Sequence, residues 1–414
     1  MKKNNFSFVL FLLLICLGAS STSLSAQFLQ SIQVLPSNGN YGLAVLELGS
    51  NDKITISFDD TQDNDYSLSY RVIHCNADFT PSSLKEIEYM EGQNKTDINQ
   101  VDLSFNTRIN YTHYQLEFPS PYQKLKVSGL YQIEIFQNGA PQEVLAKIPF
   151  YVCESKVNIQ AQVRVPQRVD YRKSRQELYI TVNNTNAQLN IIQAQQNLKV
   201  FVQQNRNTNI LRRVPLLFNV GQTFEYKDND LNVWDGLNEF RNFDTRTLSY
   251  AGRNVERLEK INDIWNVFLY DEHSKLGYSY LNQDDINGNF VIKAERSEHS
   301  DIEADYAYVH FFLKSEALLA CDVYVLGQFN QWQASQESKM SYNRDIQSYV
   351  LSLLLKQGFY DYTYLCKTQQ KDDYIRMENN FQDTENDYYI FVFYRNPGGR
   401  YDQLIGIRKV NSRN

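Results

Sequence analysis

The sequence predicts an all-β protein in which several antiparallel β-sandwiches follow one another behind an export leader. Three observations carry this. Aromatic residues make up 14% of the 414 residues, dominated by 29 Tyr and 24 Phe, and such side chains favour pleated, half-buried surfaces. The chain is divided into short apolar or alternating runs about 10–20 residues apart, separated by polar turns, which is the rhythm of antiparallel sheets. Even without its leader it is too long for one sandwich core and suits three.

The leader comes first. Lys2 and Lys3 precede the apolar run from Phe6 to Leu17, and small polar residues lead to Leu24-Ser25-Ala26. That is a basic start, an apolar stretch too short to span a bilayer, and a cleavage position before Gln27. Residues 1–26 are therefore read as a removed signal peptide. Cys16 lies inside the apolar run after Ile15, which does not suit lipid attachment. No later segment is continuously apolar over the roughly 20 residues a membrane helix needs. Loss of Lys2 and Lys3 takes the formal net charge from −7 to −9. With no block of Lys or Arg to track a phosphate backbone, nucleic acid is excluded as a partner.

Residues 27–154 read as the first sandwich. Ile32 to Leu35, Ala44 to Leu48 and Lys53 to Phe58 are short strands; later ones are Tyr70 to His74, His113 to Phe118, Gly129 to Phe136 and Ala146 to Val152. Gln137-Asn138-Gly139, between the last two, is the strongest hairpin signal in the chain. Thr80 to Met90 reads as one short helix: Thr80 can cap, Pro81 suits the first position, and Leu84, Ile87 and Tyr89 could cover a sheet edge.

Residues 155–297 read as the middle sandwich. Strands are expected at Val157 to Val165, Glu177 to Val182, Leu198 to Val202, Trp265 to Tyr270 and Asn289 to Lys293. The Asn/Gln-rich stretch from Asn183 to Asn197 is interrupted by Leu189, Ile191 and Ile192, and so reads as a loop with a short ordered piece. Trp234 to Arg246 is dense in charged and aromatic residues. Its acids and arginines read as mutual salt bridges rather than an acid–base site. With no evident core period, Trp234, Phe240, Arg241 and Phe243 are the candidates for an exposed partner interface.

Residues 298–414 read as the last sandwich, with strands at Tyr306 to Leu313, Cys321 to Leu326, Tyr349 to Leu355 and Gly358 to Leu365. The sequence Val323, Val325, Gly327, Phe329, Asn330, Trp332, followed by Gly358, Tyr360, Tyr362 and Tyr364, resembles the early-set, immunoglobulin-like module of glycogen- and starch-handling proteins. That resemblance implies a sugar contact at Trp332 and Asn330, where a Trp would stack on a pyranose ring. The second Trp that sugar-binding members carry is missing, so the module reads as a scaffold and carbohydrate binding is the alternative function.

Catalytic and metal chemistry find little footing. Asp59-Asp60 and Asp284-Asp285 look like turn acids rather than the paired carboxylates of a glycosidase. No Cys-x-x-Cys or His-x-x-x-His spacing occurs. Cys75, Cys153, Cys321 and Cys366 could pair within the first and the last third, or each could be a small buried apolar side chain. His74 and Cys75 are adjacent in a strand and point to opposite faces, so they cannot act jointly. His74, Asn76 and Asp78 read instead as hydrogen-bonding residues at a strand end.

Two stretches are too particular in wording for generic strand. One is His74-Cys75-Asn76-Ala77-Asp78-Phe79-Thr80-Pro81. The other combines Ser104 to Thr107 with Tyr111, Thr112, His113, Tyr114, Leu116, Phe118 and Pro119. With Gly236 to Arg246, Lys356 to Tyr360, Thr384 to Tyr388 and Gly399 to Gly406, they make the chain resemble the plug proteins of the Bacteroidetes type IX secretion system. The resemblance implies a protein that is not an enzyme and needs no cofactor. It would sit in the periplasm against the mouth of a very large outer-membrane translocon barrel, without inserting in the membrane, and seal that mouth when no cargo is in transit. It implies no catalytic residue; His74, Cys75, Asn76, Asp78, Tyr111 and His113 enter as structural members of the family motifs.

Overall fold

In the computed structural model, which describes residues 29–37, 42–62, 67–184, 189–227 and 230–413, the chain forms six sheets of four or five strands and one two-stranded ribbon. The expected signal peptide, Cys16 included, lies outside the described residues. The six larger sheets pack in pairs, each pair around its own apolar core.

The first pair takes its strands from residues 29–153. One sheet runs Leu29–Pro36, Ile54–Asp60, Thr112–Phe118, Gln100–Leu103; the other runs Val45–Glu47, Val144–Cys153, Gly129–Gln137, Leu68–Cys75, Thr96–Asp97. Alternation does what the sequence promised: Ile54, Ile56 and Phe58 are fully buried and meet Tyr131, Ile133 and Phe150 of the facing sheet. The Gln137-Asn138-Gly139 turn joins antiparallel strands in which Ile133 stands opposite Ile148. Gly139 takes φ +94°, a conformation that L side chains rarely adopt.

The expected helix is shorter than the sequence suggested. It spans Glu86–Tyr89, with Glu88 accepting the Lys85 N–H at 2.7 Å. Thr80 does not cap it, because Asp78 takes both the Thr80 N–H and its hydroxyl, and Pro81 forms a β-bridge with Cys75 instead. Ile87 covers nothing, being 74% exposed.

The sheets cut across the boundary expected between residues 297 and 298. Leu198–Gln204 pairs with Asp387–Tyr394, Val200 opposite Val392, and Gln403–Asn411 extends the same sheet. The sheet facing it is Asn158–Arg164, Arg175–Asn183, Thr223–Tyr226, Phe218–Val220, with Val233–Asp235 also on Arg175–Asn183. The second sandwich is thus completed by the C-terminal hairpin. The third is built from the residues between: Arg241–Asp244, Phe290–Ile292, Asp322–Leu326 and Asp372–Asp373 all pair with Gly358–Lys367, facing a sheet of Val255–Ile261, Ile264–Leu269, Tyr306–Lys314, Ser348–Lys356 and Ser341–Asn343. The reason is visible in Asp387–Tyr394, buried at every position. Tyr388, Ile390, Val392 and Tyr394 enter the second core, while Tyr389, Phe391 and Phe393 press on the first sandwich. A strand covered on both faces loses the alternation that would tell which sheet it joins.

Among the described residues two strand pairs are parallel, Val45–Glu47 with Val144–Cys153 and Ile264–Leu269 with Tyr306–Lys314. The second follows a long excursion that also supplies Phe290–Ile292 to the facing sheet, the kind of connection a parallel pair needs. Cys321 and Cys366 form a disulfide with Cα atoms 5.6 Å apart. Cys75 and Cys153 stay free. Their strands flank Gly129–Gln137 on opposite sides, so two strand spacings, about 9–10 Å, separate them. That is beyond disulfide reach.

Candidate functional site

The residues that the sequence singled out converge on the seams between sandwiches. The His74 strand end folds back on itself: Thr80 N–H donates to Asp78 Oδ1 at 3.1 Å, and Asn76 donates its backbone N–H to the Thr80 carbonyl and its side-chain amide to the Thr80 hydroxyl. This turn then holds the tip of the C-terminal hairpin. Ala77 N–H donates to Asp402 Oδ2 (3.2 Å), Arg395 donates to Asn76 Oδ1 (2.8 Å), and Ser83 Oγ donates to the Arg400 carbonyl (3.2 Å). Burial alone would raise the Asp402 carboxyl, but Lys199 and Arg395, at 2.8 Å each, pull it below the ordinary range. His74 is 1% exposed, between Ser82 Oγ at 2.9 Å and the Ser128 carbonyl at 3.4 Å. Burial lowers its pKa to about 4, so the ring is neutral at ordinary pH. A Cβ at Gly129 would lie 2.4 Å from its Nε2, so the imidazole has no room for a larger neighbour. Cys75 lies in the same seam, its thiol pushed by burial up to about 11.

The second motif holds the third sandwich. Phe105 N–H donates to the Ile302 carbonyl, Tyr111 O–H reaches the Ala304 carbonyl at 2.9 Å, and the backbone N–H groups of Arg108 and Ile109 donate to Asp305. Below them Asp59 accepts from Lys356 Nζ (2.7 Å) and from Tyr306 O–H (2.7 Å), with His113 Nδ1 at 2.6 Å. All four groups are buried, and burial lowers the Lys356 pKa even against the pull of Asp59.

The segment expected to present an exposed interface lies inside. Trp234 and Phe243 are fully buried, Phe240 and Arg241 nearly so. Trp234 packs edge-on against Tyr388 with the Arg212 guanidinium 3.6 Å from its ring centre. Arg241 pairs with Glu378 at 2.9 Å and Glu272 at 3.2 Å. The apparent lack of a core period arises because this segment passes from the second core to the third. Apolar side chains that do reach solvent include Leu103, Phe105, Val169 and Leu281.

Trp332 is likewise unavailable to a sugar. It is 1% exposed, wedged between Phe240 and the backbone of Gly288, with its indole N–H donating to Gln328 Oε1 at 3.2 Å. Asn330 is turned inward on its own loop, donating to the Val325 carbonyl and accepting from Gly327 N–H. Asp285 and Asp361 each hold the 284–289 turn through backbone N–H groups, and burial raises their pKa values to about 7 and about 8. Among the described residues, no group of three or more His, Cys, Asp and Glu is placed to hold a metal ion.

Where the three sandwiches meet, a cleft of about 540 Å³ opens. Its walls combine apolar Leu43, Tyr151 and Trp332 with the amide residues Gln33, Gln203 and Asn289. Arg206 reaches it from a turn in which Asn205 and Arg206 both take left-handed φ. Sequence reading missed these residues. Gln33 and Gln203 look like the polar half of ordinary alternation, and no local pattern marks a residue at a three-body seam.

The family model for the type 9 secretion system plug protein first domain matches residues 29–154. Among solved structures, the crystal structure of a hypothetical protein from Parabacteroides merdae is similar at 32% identity and TM-score 0.88, over 93% of this chain and 97% of that one. An alkylpurine DNA glycosylase from Pseudomonas fluorescens, bound to DNA containing an abasic site analog, aligns over 30% of this chain and 29% of that one. Its 13% identity and TM-score of 0.19 carry no argument. No curated protein sequence matches.

Proposed function

Because the chain belongs to the type IX secretion system plug protein family, we propose that it acts in the periplasm as a non-enzymatic plug, associating with the giant outer-membrane translocon barrel and sealing its periplasmic mouth. The observation that carries this reading is the pairwise locking of the three sandwiches. The first and second share an apolar seam, the second and third another around Trp332, and the first and third the buried Asp59–Lys356 contact. A wide, water-filled mouth is blocked by bulk that does not bend, and three sandwiches fixed to one another supply it where beads on flexible linkers would not. The barrel must release its plug for cargo, so the contact between them is a moderately sized, polar-rimmed interface.

A tagged full-length copy expressed in its native host, purified from outer-membrane extracts in mild detergent, tests this. Recovery of a very large barrel protein is the expected result, together with leakage of bulky hydrophilic solutes across the outer membrane when the gene is deleted. Recovery of soluble periplasmic proteins alone, with an intact permeability barrier in the deletion strain, would overturn it.

A further inference from the structure

We infer that the three-sandwich cleft binds a short extended peptide carrying a carboxylate, main chain against the sheet edges and carboxylate at Arg206. This inference rests on the cleft itself and goes beyond the plug reading.

The first support is unmet hydrogen-bonding capacity. Gln33 Nε2, Gln203 Oε1 and Asn289 Oδ1 are buried polar atoms without a partner among the described residues, and all three residues line the cleft. Gln203 is 2% exposed. Buried polar atoms are nearly always satisfied, and three orphans on residues from three different sandwiches around one cavity point to something that satisfies them once their amides turn toward it. They comprise one donor and two acceptors, the mixture a peptide main chain presents in return.

The second support is where the cleft lies relative to the sheets. Leu29–Pro36, Val45–Glu47, Leu211–Val214 and Phe290–Ile292 each stand at the end of a sheet, and residues of or beside all four line the cleft. End strands offer main-chain N–H and C=O groups to an added strand. The cavity is of the size that takes small ligands, at a junction between domains where such sites are common.

The third support is charge. Arg206 donates to the Gly42 carbonyl at 3.1 Å but makes no ion pair among the described residues, although burial presses its pKa down. Lys147, which lines the cleft from the first sandwich, is already paired with Glu134 at 3.4 Å, so among the described residues Arg206 is the cation left for a ligand. A carboxylate suits a guanidinium that is desolvated and not otherwise neutralised. A sugar fits less well, because Trp332 and Tyr151 are already covered, by Phe240 and by Phe391 at 4.6 Å.

The test is titration calorimetry on the full mature chain with randomised hexapeptide pools: free C-terminus, C-terminal amide, and amide without Asp or Glu. Maltoheptaose is the sugar control. Binding of the first pool is expected, weakened tenfold or more in the third; the second pool tells whether a C-terminal or a side-chain carboxylate is used. Arg206→Gln should weaken the first pool tenfold or more, and Gln33→Leu, at a half-buried position with less risk to folding, by severalfold. No peptide binding at millimolar concentration, equal binding of all three pools, binding indifferent to Gln33→Leu and Arg206→Gln in folded protein, or binding of maltoheptaose instead would each overturn the inference.

Discussion

Asp59→Ala should be among the most destabilising single substitutions in the protein, although Asp59 looks in the sequence like an unremarkable strand-end acid. The aspartate is 1% exposed, at the seam between the first and third sandwiches. It accepts from Lys356 and Tyr306 at 2.7 Å each and lies 2.6 Å from His113. Not all three neighbours suffer equally from its removal. Tyr306 keeps Ser31 Oγ at 2.8 Å and Lys356 keeps the Asp301 carbonyl at 2.6 Å. Among the described residues His113 keeps nothing, because its Nε2 is already without a partner there. The dominant loss is the ammonium left buried without its counter-charge, about 3–5 kcal/mol. Lys356→Met should cost less, since Asp59 would retain His113 and Tyr306. The double variant Asp59→Asn/Lys356→Met should recover most of the loss, because it buries no charge at all. Urea unfolding of these variants, with Asp59→Asn alone to close the cycle, gives the coupling. Amide exchange across Ser300–Glu303 reports the seam itself, because Lys356 and Tyr111 hold the carbonyls of Asp301 and Ala304. A loss under about 1 kcal/mol for Asp59→Ala, the range of an exposed ion pair, would refute the reasoning, as would unchanged exchange in that segment.

Three further outcomes are expected. Cys75 and Cys153, with thiols pushed by burial up to about 11 and about 12, should resist iodoacetamide at pH 8 in the folded protein and react after unfolding in urea; rapid labelling of the native chain would contradict the packed seam. Trp332→Ala should cost about 3–5 kcal/mol and change retention on a starch gel not at all, whereas starch retention lost with the indole would restore the sugar reading. Asp285 and Asp361 titrate when folded at about 7 and about 8 against an ordinary 3.8. The folded state therefore binds more protons between those values, and their contribution to stability is full below pH 4 and lost as pH rises through 7 and 8. Asp361→Asn should make the fall in melting temperature between pH 5 and pH 9 shallower; parallel curves for variant and parent would count against a buried, proton-holding Asp361.

Much of the fold was legible because one-sided burial writes itself as alternation. Ile54, Ile56 and Phe58 fall on one face, and Asn138-Gly139 announced its hairpin. What misled was burial on two sides. Trp234 to Arg246 lacks a period because it borders two cores, and so an interior segment looked like an exposed one. Trp332 matched a sugar-stacking position by order in the chain, yet Phe240 and Gly288 occupy the ring's surroundings. The motifs around His74 and Tyr111 were recognisable as words without revealing their use: Arg395, Asp402 and Asp305, which give them meaning, lie hundreds of residues away.

The sequence by itself determined the β architecture and the family, because strand periodicity and motif wording are local properties. Tertiary structure alone decided that the C-terminal hairpin completes the second sandwich, that the cysteines of the first remain two strands apart, and that three seams enclose an amide-lined cleft. Those outcomes depend on which buried faces find one another, and a strand with two apolar faces carries no local mark of its partner.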